Sequence, residues 1–243
     1  MRFAVFSIAT APDIESARRV YQLPSLDDVS VAKVLFHRRK QESGGETLRW
    51  DQRAVAGITV VHHSIDSLQI QTLSSATASE PEMLQAYYAA ALRNGRMVSW
   101  KGGQSDQALM RFRTLLHEVT FPAYWQALSE SGDPHLDLCD WFAATGHERP
   151  GLDETARRLG YPGLAGLSEE ALTEDWLNGD RSAVGAFTEL AALNTYLLAL
   201  RVFVVTGEIS RHDSARVALR LREELRRQPG EHLARFMAAW GDR

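Results

Sequence analysis

A mixed α/β fold, with a sheet drawn from the first hundred residues and a helical C-terminal part, is what this sequence predicts. Short runs rich in β-branched and aromatic residues cluster before residue 100. Beyond them the apolar residues recur at helical spacing, ending in one long apolar run over 183–206. Strands followed by helices point to an α/β or α+β domain whose sheet is mixed. No internal repeat or low-complexity linker breaks the chain, so a single continuous domain over 1–243 is expected.

Residues 2–10, RFAVFSIAT, have the content of a central strand. Residues 30–37 fit a helix end or a short strand, and the polar, Gly-containing 37–46 reads as a surface loop. AVAGITVV, 54–61, is a buried strand, and 67–73 alternates like a further one. A helix begins at Pro81 and stops at Gly95, a residue suited to the left-handed cap. Met97 to Trp100 is a short strand. A helix then follows the KGG turn, with Ser105 or Asp106 as N-cap. The stretch 135–146 is mixed. Helices are expected over 152–160, 183–206, 210–228 and 231–240.

Composition sets outer bounds. The chain has 243 residues, and 44% hydrophobic with 24% charged residues is ordinary for a globular protein. A net charge of −4 argues against coating duplex nucleic acid by bulk positive charge, but leaves room for a local basic groove. The single cysteine, Cys139, excludes an intrachain disulfide and fits a cytoplasmic setting. The N-terminal apolar run is cut short by Pro12 and Asp13, too early for a signal segment. The late apolar run 195–205 contains Arg201 and falls short of the roughly 20 residues of a membrane span, so no membrane partner is expected.

Four segments, in order, carry a resemblance. They are Phe6-Ser7-Ile8-Ala9-Thr10-Ala11-Pro12-Asp13, then Ser99-Trp100-Lys101-Gly102-Gly103-Gln104-Ser105-Asp106, then His135-Leu136-Asp137-Leu138-Cys139-Asp140, and Phe187-Thr188-Glu189-Leu190-Ala191-Ala192-Leu193-Asn194-Thr195-Tyr196. Together they resemble the predicted 3′–5′ exonucleases related to the proofreading domain of family-B DNA polymerases, over residues 3–210. The resemblance implies a DEDD-type, ribonuclease H-like fold: a mixed central sheet flanked by helices. It also implies two-metal phosphodiester hydrolysis, in which two Mg²⁺ or Mn²⁺ ions held by four carboxylates activate water and stabilise the leaving oxygen.

This chain departs from the pattern at the chemistry. Ser7 and Ala9 stand where the family has its first Asp and Glu, Ala191 where it has its last Asp, and Phe187 where it has a water-positioning Tyr. Asp106 alone matches a family acid. The neighbours Phe6, Ile8, Thr10, Pro12, Asn194, Thr195 and Tyr196 are kept. The expectation is a catalytically degenerate protein with no metal cofactor, binding single-stranded nucleic acid through Thr10, Lys101, Gly102 and Asn194. A protein-interaction module on the same fold is the alternative. A residual exonuclease with ligands rebuilt from Asp106, Asp137, Asp140 or Glu189 is a further one. Lys101 is also a candidate to place its ammonium beside Asp106, in the space of a lost metal.

Other features have bland readings beside sharper ones. Adjacent residues on a strand point to opposite faces, so His62 and His63 cannot chelate one ion and read as core or rim histidines. His117, His135 and His147 have no ligand spacing. Gly102-Gly103 can present N–H groups to a phosphate. Asp13, Asp137 and Asp140 fit turns and caps. Trp100, Trp125 and Trp141 are expected in the core. From residue 201 onward nine Arg face six acids; the helix 216–227 suits either a phosphate or protein partner, or a solvated face laced by ion pairs.

Overall fold

A computed structural model describes residues 1–132, 134–143 and 148–241. Five strands form one sheet in the order β3-β2-β1-β4-β5. β1 (Arg2–Pro12), β2 (Arg53–Ser64) and β3 (Leu68–Ser74) make an antiparallel meander. β4 (Met97–Ser99) and β5 (Leu136–Asp137) add parallel to it on the far side of β1. This is the mixed α/β sheet that the resemblance implied.

Alternation along β1 splits the core into two layers. Phe3, Val5, Ala9 and Ala11 point to one face, where they meet α9 (Ser182–Val205). Ala4 and Phe6 point to the other, packing with Met83, Leu84, Tyr87 and Tyr88 of α3 (Glu80–Asn94) and Met110 of α4 (Gln107–Leu116). Behind α9 lie α10 (Arg211–Arg227) and α11 (Glu231–Trp240), which bury Val217, Leu221, Leu225, Leu233 and Phe236. α9 is so apolar because it is covered on almost every side. It is the one described helix long and apolar enough to cross a membrane, yet 78% of that stretch is buried inside the protein. A hydroxyl chain, Thr72–Thr59–Thr188, and a 2.8 Å bond from His63 to Tyr196 fix its register on the sheet.

Several expectations change. Residues 30–43 belong to one helix, α2 (Asp28–Ser43), so the polar HRRKQES is helical and the loop begins at Gly44, a left-handed cap. The charged face misleads because only Val31, Ala32 and Leu35 are buried, against α1 (Ile14–Tyr21). α5 (Pro122–Ser131) and α8 (Glu169–Leu177) are also helices that carry little apolar periodicity. α6 (Leu138–Ala143) and α7 (Leu152–Arg158) complete the set. Neither Ser105 nor Asp106 caps α4 with its side chain, because a wide π-type turn, Gly102–Asp106, runs straight into the helix. His147 lies outside the described residues.

Candidate functional site

A cleft of roughly 750 Å³ opens where the C-terminal end of β1 meets α9, the β4–α4 turn and the α7–α8 loop. Such a crevice at strand ends is the usual ligand position in α/β sheets. Ser7, Ala9 and Thr10 line it from β1, Phe187, Ala191 and Thr195 from α9, and Trp100, Lys101 and Asp106 from the turn after β4. Three of the four segments, separated by up to about 190 residues in sequence, thus converge here, and the third, residues 135–140, contributes no lining residue. A register shift against β2 between Ala9 and Thr10 interrupts the ladder beside the cleft, and pairing resumes from Thr10 to Pro12. Phe187 and Ala191, one helical turn apart, present the same face of α9.

Asp106 sits at the turn's junction with α4. It keeps a partial opening to solvent, but protein crowds it elsewhere, and this burial pushes its carboxyl up to about 7. The Ser105 hydroxyl, which donates to it at 3.1 Å, and the charge of Arg53 pull the other way, while Glu169 and Asp137 add to the rise. Lys101 does not neutralise it. Lys101 is an exposed residue in left-handed backbone (φ 63°), and among the described residues no ion pair joins its ammonium to Asp106. The proposed stand-in for a metal is therefore not formed, because the turn directs the lysine outward.

Gly102 and Asn194 are also placed differently from expectation. Gly102 is buried, its N–H donates to Ser99 Oγ at 3.0 Å, and a Cβ there would lie 2.3 Å from that oxygen. The N–H of Gly103 donates to Asp137 at 2.8 Å. The amides of both glycines are spent internally rather than offered to a phosphate. Asn194 is fully buried. Its amide accepts from Gly163 N–H at 3.0 Å and donates to the carbonyls of Gly163 and Leu190 at 2.8 and 2.7 Å. It holds the α7–α8 loop to α9 rather than facing a ligand. Gly163 needs left-handed backbone (φ +74°), and a Cβ there would collide with Asp153, whose carboxylate accepts from Leu164 N–H at 2.6 Å.

The candidate rescue acids lie elsewhere. Asp137 accepts backbone N–H bonds from Lys101, Gly103 and Cys139 at 2.8–3.0 Å, which makes it the clamp of the turn. Asp140 pairs with Arg149 at 2.5 Å. Glu189 points away from the cleft and meets His232 of α11 at 2.7 Å. None of the three lines the cleft. Asp13 caps α1 through Ser16 N–H and pairs with buried Arg113. His62 and His63 face opposite layers, bonded to Asn94 and Tyr196 respectively. On α10, Arg216 and Arg227 pair with neighbouring acids, Arg220 donates to the Ile65 carbonyl, and Arg222 lies over Trp240. That helix is mostly a laced face that also serves the fold.

Sequence reasoning missed Arg53 and Arg157, which line the cleft with Lys101, and the acids Asp153, Glu169 and Glu170, which line it too. No motif flags them; Arg53 enters because β2 pairs with the end of β1 at Pro12. It also misplaced two tryptophans: Trp141 is 44% and Trp125 37% exposed. Trp100 is half-buried and lines the cleft, with its indole N–H lacking an acceptor.

No curated protein matches this chain. The family described as a predicted 3′–5′ exonuclease related to the exonuclease domain of PolB matches residues 48–240, which include β4, its turn and α9 but not β1. Positions 7 and 9 thus join the site through the geometry of the sheet. With most of its length matched, the chain belongs to the family of predicted 3′–5′ exonucleases related to the exonuclease domain of PolB.

Proposed function

We propose that this protein is a catalytically degenerate member of that family, which holds single-stranded nucleic acid ends in its cleft without metal-dependent hydrolysis. One observation carries the reading: positions 7, 9 and 191 line the same cleft as Asp106, yet they bear a hydroxyl and two methyl groups. The residues do not fit the family's two hard divalent ions. Such ions need several carboxylate oxygens. Asp106 is the single acid at a matching position, and among the described residues no group of three or more His, Cys, Asp or Glu could hold an ion. Arg53 and Lys101 supply cations for phosphates and Thr10 a hydroxyl, while Arg157 pairs with Asp153 at 3.5 Å and Glu169 and Glu170 keep the α8 side of the cleft acidic.

The test uses a 3′-labelled single strand at low ionic strength, with Mn²⁺ or with EDTA. Binding is expected to weaken linearly in log salt and to be the same in EDTA. No shortening of the strand is expected. Mn²⁺-dependent degradation by the unaltered chain, lost in Asp106→Asn, would sink the proposal. Conversely, Ser7→Asp, Ala9→Glu, Phe187→Tyr and Ala191→Asp combined are expected to introduce Mn²⁺-dependent shortening.

A further inference from the structure

α6 buries its smaller side chains and exposes its two largest. Leu138, Cys139 and Ala143 face the core, while Trp141 and Phe142 are 44% and 37% exposed. A short helix that leaves its biggest apolar surfaces in water does the reverse of what the hydrophobic effect favours. These rings are not isolated. Phe142 lies 5.7 Å from Trp100, centroid to centroid, and Trp141 lies 5.2 Å from Phe142. Trp100 lines the cleft, so the three rings lead from the cleft to the surface as a stepped ledge, Phe142 tilted 48° to Trp100 and Trp141 turned 89° to Phe142.

One cation beside this ledge is open to an anionic polymer. Asp140 is neutralised by Arg149, and Asp137 is enclosed by three backbone N–H groups. Lys101, next in sequence to Trp100, is exposed and its ammonium enters no ion pair among the described residues. Flat rings beside a free cation suit a strand whose bases are unpaired: each base offers a π-face, and the lysine meets a phosphate. A duplex keeps its bases stacked internally and offers nothing to these rings.

From this we infer that Trp100, Phe142 and Trp141 form a base-stacking track that carries a single strand out of the cleft. The inference rests on the nucleic-acid reading of the cleft and extends it from Trp100 to Phe142 and Trp141, which lie outside the four family-like segments. It makes affinity depend on bases as well as phosphates.

The full chain is titrated with a fluorescent single-stranded oligonucleotide, with the same strand made abasic at successive positions, and with the matching duplex. Tryptophan fluorescence is recorded alongside. The unaltered protein is expected to prefer the single strand over the duplex, and quenching should accompany binding. Trp141→Ala with Phe142→Ala should weaken binding by about tenfold or more, whereas Trp141→Phe with Phe142→Tyr should largely keep it. The conservative pair separates loss of stacking from loss of folding, and both variants are checked by thermal melting. If the unaltered protein binds strands but the alanine pair and the abasic strands bind equally well, the track is overturned and the cleft reading stands. If the unaltered protein binds no strand, the cleft reading fails and the track with it. A sedimentation shift abolished by the alanine pair, without strand binding, would assign the ledge to a second copy of the chain and overturn the proposal.

Discussion

His63 shows how a single side chain can link this fold to pH. It is 1% exposed, its Nδ1 bonds Tyr196 at 2.8 Å, and its Nε2 has no partner. Burial first, then the positive charges of the N-terminus and Arg220, push its ring down to about 4. The unfolded chain takes up this proton near pH 6.5 and the native state only near 4. Stability from this group is therefore full above pH 6.5 and declines as pH falls through the interval. Between pH 7.5 and 5.0 the loss should be about 2 kcal/mol in urea unfolding, and His63→Gln should show less of it. Asn194 offers a second test at this scale. Asn194→Ala removes three buried bonds and strands the Gly163 backbone, so a loss of about 2–4 kcal/mol is expected in the same assay.

Among elements, α4 is tied to its neighbours by charge. Arg113 is 4% exposed; it meets Glu80 at the start of α3 at 2.5 and 2.7 Å, and it meets Asp13 at the start of α1. Glu80 also accepts from Val55 N–H at 2.7 Å and bonds His117 at 2.8 Å. Three helices and β2 thus share one buried cation. Arg113→Leu leaves two carboxylates without it, and a loss of about 3–5 kcal/mol is expected by chemical denaturation. Arg113→Leu with Glu80→Gln should recover part of it.

Elements were legible where local pattern and packing agree. β1, β2, α3 and α9 show the alternation or apolar length that their burial requires, so they stand out in the sequence. α2 and α8 do not, because each buries three or fewer residues and its remaining surface is polar. The site divides in the same way. The convergence of Ser7, Ala9, Asp106, Phe187 and Ala191 was legible through three of the four segments. The fates of Gly102, Asn194 and Lys101 were not, since hydrogen bonds to Ser99 and Gly163, and a left-handed turn, decide them. The bond from Asn194 to Gly163 joins positions 31 apart, and the other two follow from the shape of the turn itself, which no local pattern announces. The exposure of Trp141 was likewise hidden, because an aromatic residue's composition says nothing of which side of a short helix meets the core.

At the scale of the molecule, α9 carries the face of the sheet that β1 presents through Phe3 and Val5. Removing it would expose that face and the hydroxyls of Thr59 together. A chain cut after residue 181 is expected to lack cooperative thermal unfolding and to aggregate, which light scattering during a melt would detect.

The bonds from Thr59 to Thr188 and from His63 to Tyr196 join residues 129 and 133 positions apart. On a ribosome adding about 5–20 residues per second, the meander emerges roughly ten seconds before the helix that covers it. During that interval the nascent chain holds an apolar sheet face with no cover. Its yield in a cell therefore depends on translation speed and on whatever shields that face, even though the finished protein buries most of it.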